Sequence, residues 1–195
     1  RLPPVKIYDK GIYNQILADV MFYNMRVSND RKGDMAAQLN ALALGDKRLN
    51  EFFERFEEAT VFDCVNELKN RSEKLMRERI NQIPDGSYHF CDFMDSDGVD
   101  EGQLKIDVKI IVKDTNITFD LSGSSPECRG PFNSPFSNTV TGTMIAVKHV
   151  FYDIPINSGC FEPFEWIIPE GTMLNPRPPR AVSGTTTETC NMIVS

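Results

Sequence analysis

Five acidic side chains fall within one short stretch of the chain, and carboxylates at such a density could bind a divalent cation. Hard cations take several carboxylate oxygens as ligands, and the stretch supplies Asp92, Asp95, Asp97, Asp100 and Glu101. Its central Asp-Ser-Asp-Gly run lacks the third ligand, the spacing and the terminal glutamate of an EF-hand loop. We therefore favour a polar turn between two strands, with a cation site as the alternative.

Two loops rich in small side chains could hold an oxyanion or a phosphate through backbone N–H groups. They are Asp120-Leu121-Ser122-Gly123-Ser124-Ser125 and Ser183-Gly184-Thr185-Thr186-Thr187-Glu188. The first has no lysine where a P-loop requires one, and the second has few glycines. If ATP takes part in the reaction, we expect another polypeptide to bind it.

Thiols and imidazoles are the other side chains that could act as nucleophiles, bases or metal ligands. The chain has only two histidines, His89 and His149, so we expect no zinc site within it. Its five cysteines are odd in number and widely spaced, which favours reduced thiols in a cytoplasmic protein. Cys160 is expected to lie in a turn and to be the most exposed thiol, although a packing role is favoured over catalysis.

The overall charge excludes several classes of partner. A net charge of −7 and a pI near 4.9 argue against nucleic acid and anionic membranes, because phosphate binding relies on lysine and arginine. No apolar run approaches the length of a membrane span. The 195 residues suit one large or two small folded domains. The start at Arg1 has neither an initiator methionine nor a signal peptide, so we expect a cut there.

The segment 1–83 is predicted to be helical. Apolar residues recur at helical spacing from Asn14 to Arg26. A turn is predicted over residues 29–34, with Asp34 as the cap of a long helix. The apolar stripe of that helix requires a covering partner, and it consists of Met35, Leu39, Leu42, Leu49, Phe53 and Phe56. Thr60 is predicted to cap a third helix with a second stripe, and the three helices are expected to pack together. The second stripe consists of Val61, Val65, Leu68, Leu75 and Arg79.

The segment 84–195 is predicted to be rich in β-strands, which makes the whole chain α+β. Alternating β-branched and aromatic residues indicate strands over residues 87–93, 103–112, 116–121 and 161–168. The short Lys113-Asp114-Thr115 connection predicts a hairpin. One helix is expected from Asn138 to Phe151. The sheet is expected to be mixed or antiparallel.

Many short blocks along the chain resemble, in order, those of the hydantoinase B/oxoprolinase family. The first half carries Asn24-Met25-Arg26, Gly33-Asp34-Met35-Ala36-Ala37-Gln38, Gly45, Arg48-Leu49, Glu73, Arg77, Ile83-Pro84-Asp85-Gly86-Ser87-Tyr88 and Asp95-Ser96-Asp97-Gly98. The second half carries Phe119-Asp120-Leu121-Ser122-Gly123-Ser124-Ser125, Gly130-Pro131-Phe132-Asn133, Ile154-Pro155-Ile156-Asn157-Ser158-Gly159-Cys160, Pro169-Glu170-Gly171-Thr172 and Leu174-Asn175-Pro176. Thr185 departs from the family, which often has a basic residue there.

The resemblance implies an internal piece of a longer subunit of an ATP-dependent enzyme. A partner of the hydantoinase A type would bind ATP and activate an amide or carboxylate oxygen by phosphorylation. A divalent metal (Mg, Mn or Zn) is implied for the full complex, with its ligands upstream of Arg1 and none in this segment. The implied assembly is a cytoplasmic hetero-oligomer that acts on a small-molecule substrate.

Three functions follow from the resemblance. The first is hydrolysis of a cyclic amide of the hydantoin or 5-oxoproline class, and the second is ATP-dependent carboxylation of a ketone such as acetophenone. The third is a non-catalytic scaffold. If the segment contributes to a catalytic site, the candidates are Asp120, Ser122, Asn133 and Asn157, which the family blocks place near the ends of loops. Asparagines in such blocks also hold backbone turns, which is the structural alternative.

Overall fold

A computed structural model describes residues 4–195 and confirms the α+β class predicted from the sequence. The chain divides into two compact units, Arg1–Cys64 and Val65–Ser195. The first unit is mainly helical, and the second is built on a four-stranded sheet. No helix among the described residues is long and apolar enough to cross a membrane.

The first unit begins with a small hairpin that the sequence analysis missed. Strand β1 (Tyr8–Asp9) pairs antiparallel with β2 (Ile12–Tyr13), and the turn between them has positive φ at Lys10 and Gly11. Helix α1 (Gln15–Tyr23) follows, and the side chain of Asn14 caps it by accepting a hydrogen bond from the N–H of Leu17 at 3.1 Å. The helix buries Ala18 and Phe22.

Helix α2 (Ser28–Arg55) is longer than predicted. The predicted turn over residues 29–34 and the predicted cap at Asp34 are wrong, because the chain turns earlier. Val27 adopts the left-handed conformation with φ of 54°, and its carbonyl accepts the first helical hydrogen bond from the N–H of Arg31 at 3.2 Å. The apolar stripe is present, but no side chain of α2 is buried, so the expected cover is absent among the described residues.

Helix α3 (Glu58–Ile80) begins two residues before the predicted cap, Thr60. Its part in the second unit turns a different face inward from the one predicted. Ser72, Met76 and Ile80 are buried, whereas Leu68 and Leu75 of the predicted stripe are exposed. The two apolar stripes lie side by side on the helix, so periodicity alone could not choose between them.

The sheet contains β3 (Gly86–Ser96), β4 (Glu101–Lys113), β5 (Asn116–Asp120) and β6 (Phe164–Ile167), in that spatial order. The first three pair antiparallel, and β6 pairs parallel with β5, so the sheet is mixed as expected. The predicted hairpin between β4 and β5 is confirmed, with Asp114 at φ of 55° in its turn. Strand β6 is shorter than predicted because a 3₁₀ turn (Ser158–Phe161) precedes it.

Helix α4 (Phe136–Val150) belongs to the same core as the inner face of the sheet. The indole N–H of Trp166 on β6 donates to the hydroxyl of Thr143 on α4 at 2.6 Å, which fixes the helix against the strand. Met173 and Leu174 complete the core and are fully buried. A π-helical turn (Thr185–Thr189) leads into a short helix, α5 (Cys190–Val194), which the sequence analysis did not predict.

Candidate functional site

Two of the four candidate residues, Asp120 and Ser122, lie together at the end of β5. The N–H of Ser122 donates to the carboxylate of Asp120 at 3.0 Å, and the N–H of Ser124 donates to the carbonyl of Leu121 at 3.1 Å. These bonds close a compact turn in which Asp120 is half-buried and Ser122 is exposed. The turn therefore presents a carboxylate and a hydroxyl at its surface.

A charged cluster on β4 lies beside this turn. The carboxylate of Asp107 is 3.0 Å from the Lys105 ammonium and 3.1 Å from Nε2 of His89. Burial alone would raise the pKa of Asp107, but the hydrogen bonds and charges of Lys105 and His89 outweigh it and lower the pKa. A Cβ at Gly123 would come within 2.5 Å of the Asp107 carboxylate, so only glycine permits this close approach. The alternation Lys105, Asp107, Lys109 could have indicated a charged strand face.

The acidic stretch forms a polar turn, as favoured from the sequence, and Asp97 organises it. Its buried carboxylate accepts hydrogen bonds from the N–H groups of Val99 at 2.8 Å, Asp100 at 2.6 Å and Gly130 at 2.7 Å. A Cβ at Gly130 would lie 1.7 Å from the Asp97 carbonyl oxygen, so the two backbones touch. The carboxylate is therefore committed to holding one loop against another.

The hydrogen bonds to Asp97 have a consequence for stability against acid. The bond from Asp100 contributes most and that from Gly130 next, and they lower the pKa of Asp97 to about 2 although burial opposes them. Since the pKa is below that of the unfolded chain, the stabilisation is full above about pH 4 and is lost as the pH falls toward 2. We expect the free energy of unfolding to fall by about 1–2 kcal/mol over this window. The measurement is urea denaturation at pH values between 5 and 2.

The variant Asp97→Asn isolates this contribution, because its side chain does not titrate. It should lose stability at pH 6 and should show a flatter pH profile than the unmodified chain. Asp95→Asn is a suitable control, since Asp95 is exposed. Equal pH profiles for the unmodified chain and Asp97→Asn would contradict the assignment.

Asn133, the third candidate, is fully buried and holds three chain segments together. Its amide oxygen accepts from the N–H of Cys128 at 2.9 Å. Its amide nitrogen donates to the carbonyls of Cys128 at 3.0 Å, Gly130 at 3.2 Å and Ala181 at 3.0 Å. These contacts satisfy the polar atoms of the amide and fix the loop that follows the sheet, so the structural alternative describes this residue.

Two threonines missed by the sequence analysis extend the buried polar network around Asn133. The hydroxyl of Thr185 donates to the carbonyl of Asn133 at 2.6 Å, and that of Thr189 donates to the carbonyl of Phe132 at 2.5 Å. Both threonines belong to the π-helical turn, and both are buried. A Cβ at Gly184 would approach the Phe132 ring to 2.6 Å, so this glycine also permits close packing. Residues 130–134 and 181–189 thus form one rigid body of loops.

Asn157, the fourth candidate, lies at the start of the 3₁₀ turn and attaches it to α3. Its amide nitrogen donates to the Ser72 hydroxyl at 2.8 Å and to the Leu68 carbonyl at 3.3 Å. Its amide oxygen accepts from the N–H of Gly159 at 2.9 Å. Within residues 4–195, no hydrogen bond joins Asn157 or Asn133 to the Asp120–Ser122 turn. The four candidates therefore form one surface pair and two separate structural anchors.

The expectation that Cys160 is the most exposed thiol is wrong. Cys160 is fully buried in the 3₁₀ turn, because this turn packs into the core, whereas Cys64 is exposed. Burial and the nearby Asp97 carboxylate also raise the pKa of the Cys128 thiol. All five cysteines are free in the structure.

Thiol titration should separate these environments. We expect Cys64 to react fastest with a water-soluble disulfide reagent in the native state, while Cys128 and Cys160 react only after unfolding, because a buried thiol cannot reach the reagent. Denaturation without reductant should release all five thiols. Fewer than five would show a disulfide and contradict the reduced state.

The described residues fit neither a metal site nor a nucleotide site. No group of three or more His, Cys, Asp or Glu side chains within residues 4–195 could hold a metal ion. The Ser183–Glu188 segment forms a helical turn that packs on Asn133 and Phe132, not an open phosphate loop. No chemical step can therefore be assigned to a metal or a phosphate bound by these residues.

An apolar cleft lies between the inner face of the sheet, α4 and α5. Its volume is about 450 Å³, and its lining includes Phe90, Val108, Phe119 and Met192. Asp92 and His149 are the ionisable side chains among its lining residues. Such a lining suits the burial of apolar groups rather than proton transfer.

The fold and its buried polar loops define an α+β segment of a larger enzyme subunit, and comparison with known proteins identifies the family. The sequence profile of hydantoinase B/oxoprolinase matches residues 1–195, so the chain belongs to that family. The resemblance inferred from the short blocks is thereby confirmed.

The relatives are considerably longer than this chain. A putative D-/L-hydantoinase subunit of Pseudomonas sp. (strain NS671) is 35% identical over 184 residues, which are 88% of this chain and 31% of that protein. The beta subunit of the caprolactamase of Pseudomonas jessenii is 28% identical and matches 92% of this chain and 31% of its own length. The 5-oxoprolinase of Dictyostelium discoideum is 27% identical, with 92% and 14% covered. The chain thus spans a third of these proteins or less.

Two solved structures have the same fold. The crystal structure of the ATP-dependent caprolactamase from Pseudomonas jessenii has a TM-score of 0.87 and 25% identity, covering 100% of this chain and 34% of that one. The nucleotide-free acetone carboxylase has a TM-score of 0.80 over 91% of this chain and 25% of its own. Its sequence is only 15% identical, so this likeness concerns the fold alone.

Proposed function

We propose that the chain is part of a subunit of an ATP-dependent enzyme that hydrolyses a cyclic amide of the hydantoin or 5-oxoproline class. The observation that carries this proposal is the family match over residues 1–195. Relatives within the family are named hydantoinase, caprolactamase and 5-oxoprolinase, and each name refers to a cyclic amide. The dependence on ATP rests on the caprolactamase structure, which is described as ATP-dependent.

The four candidate residues are assigned two different roles in this proposal. Asp120 and Ser122 are the pair that contacts the small-molecule substrate, because their carboxylate and hydroxyl lie together in a surface turn. Asn133 and Asn157 are positioning residues, since their amides bond to backbone within the fold. A carboxylate beside a hydroxyl can accept a proton or orient a water molecule near an amide carbonyl.

ATP, metal and partner are assigned to other parts of the assembly. We propose that a hydantoinase A-type subunit or domain binds ATP, and that residues outside this chain bind the divalent metal. The hydantoinase and caprolactamase relatives are both named as subunits, which supports a hetero-oligomer. We also propose a cytoplasmic location, which the five free thiols support.

A ketone carboxylase is the second candidate, and only the fold likeness to acetone carboxylase favours it. A scaffold without catalytic residues is the third. The reaction products separate the first two, because a cyclic amide hydrolase opens a ring whereas a carboxylase incorporates inorganic carbon. The scaffold differs from both in tolerating changes at Asp120.

Substitution in the full-length subunit, assembled with its partner, tests the proposed site. Asp120→Asn keeps an oxygen that can accept the bond from Ser122, and Ser122→Ala removes an exposed hydroxyl. We expect Asp120→Asn to lower kcat by about 100-fold or more, as for loss of a group that transfers protons. Asp114→Asn is the control, because Asp114 is exposed in a turn with φ of 55°, which asparagine tolerates. Unchanged turnover in both site variants would sink the assignment of Asp120 and Ser122.

A further inference from the structure

Helix α2 carries an apolar stripe whose middle lies open to solvent. Leu42 is 71% exposed and Leu49 is 52% exposed. The ends of the stripe are better covered, since Met35 and Leu39 line a hollow with Phe22 of α1, and the rings of Phe53 and Phe62 lie 6.2 Å apart. Large apolar side chains left in water on a regular stripe mark an interaction surface.

The spacing of the stripe specifies the kind of partner. Met35, Leu39, Leu42, Asp46, Leu49, Phe53 and Phe56 alternate steps of four and three, which is the heptad period. Such a seam stays on one side of a helix and is complementary to a second helix with the same period. The charged residues Lys47, Arg48 and Glu51 lie on the opposite side and pair with one another.

Gly45 adds evidence for close approach by another helix. It lies in the middle of α2 beside the open part of the seam, where glycine weakens a helix relative to alanine. A Cβ at Gly45 would meet nothing within 4 Å in the described chain, so packing within this chain does not require the glycine. A backbone that packs directly on Gly45 from outside would require it.

Asp46 indicates the charge of the partner. It occupies a seam position between Leu42 and Leu49, and its carboxylate forms no hydrogen bond or ion pair with any residue from 4 to 195. Two copies of α2 paired in parallel register would place two such carboxylates face to face, which is unfavourable. A lysine or arginine on a different helix would pair with Asp46.

We propose that the open middle of the α2 seam, formed by Leu42, Gly45, Asp46 and Leu49, is a docking surface for an amphipathic helix of the companion subunit. That helix would carry apolar residues at heptad spacing and a basic residue opposite Asp46. The inference rests on the proposed function, because the companion is the ATP-binding, hydantoinase A-type subunit assigned there. The names of two relatives, each given as one subunit of an enzyme, agree with such a contact between polypeptides.

The test measures the affinity of the purified hydantoinase A-type subunit for the full-length subunit that contains this chain. Gly45→Leu is the decisive variant, because leucine has room in the free helix and favours helix formation, yet it blocks close approach. We expect Gly45→Leu, Leu49→Asp and Asp46→Lys each to raise Kd at least about tenfold. Leu44→Asp is the matched control, because Leu44 is 55% exposed on the opposite side of α2, and its Kd should stay within about twofold.

Circular dichroism of each variant verifies that α2 has remained folded. Wild-type affinity in all three seam variants overturns the inference and leaves the proposed function intact. The inference is also overturned if the variants change only the self-association of the subunit, which indicates a second copy. The same holds if they change only its unfolding without the companion, which indicates cover by its own polypeptide. Failure of the proposed function is different, because the unmodified subunits then neither bind each other nor hydrolyse a cyclic amide.

Discussion

Asn133→Asp is expected to lower the free energy of unfolding of this chain by about 3 kcal/mol or more. The amide nitrogen of Asn133 donates to three carbonyls, so the new carboxylate would place an oxygen against acceptors in a fully buried site. A buried charge without donors is strongly unfavourable, and protonation could restore only one of the three bonds. Urea denaturation at pH 7 measures the loss.

Asn138→Asp provides the matched control for Asn133→Asp. Asn138 is half-buried in the first turn of α4, where the helix dipole favours a negative charge. The control should change stability by less than about 0.5 kcal/mol. Similar losses in the two variants would show that the bonds of Asn133 contribute little.

Gly159→Ala is expected to destabilise the chain by about 3 kcal/mol or more, because the added methyl group has no space. The Cβ would lie 2.1 Å from the carbonyl oxygen and 2.6 Å from the carbonyl carbon of Lys69, which belong to the backbone of α3. A side chain could rotate away, but here a helix or the 3₁₀ turn has to move. Thermal and urea unfolding of the 195-residue chain measure the effect.

Gly86→Ala is the control for this steric argument. The nearest atoms to its Cβ are 3.8 Å away and belong to the Tyr88 side chain, so alanine fits. We expect a change below about 1 kcal/mol for Gly86→Ala. If Gly159→Ala were equally mild, the close contact between the 3₁₀ turn and α3 would be refuted.

Local signals in the sequence were sufficient for most of the sheet. The hairpin between β4 and β5 was predicted because its short polar connection joins two strands of clear alternation. The start of α2 was predicted wrongly, because the Asn-Asp-Arg-Lys-Gly-Asp run is typical of a turn. The actual turn lies upstream, where Asn24 ends α1 and Val27 takes the left-handed conformation, and valine gives no local signal for that conformation.

The site was less predictable, since its bonds join residues far apart in the sequence. The sequence indicated a turn around Asp97, but the bond from Gly130 that fixes it could not be inferred. Thr185 was noted only as a possible phosphate contact, whereas its hydroxyl bonds to the carbonyl of Asn133. Cys160 was expected to be exposed because turns usually lie at the surface, but Gly159 allows this turn to pack on α3.

The most direct test of the central claim is a coupled assay of ring opening and ATP hydrolysis. It uses the full-length subunit that contains this chain, with and without its hydantoinase A-type partner, in the presence of Mg²⁺ or Mn²⁺. Hydantoin and 5-oxoproline are the substrates, and the isolated 195-residue chain is assayed in parallel. We predict that the assembled enzyme opens one of these rings only while it hydrolyses ATP, and that the isolated chain does neither. Ring opening that proceeds equally without ATP, or substrate-dependent ATP hydrolysis by the isolated chain, would contradict the account.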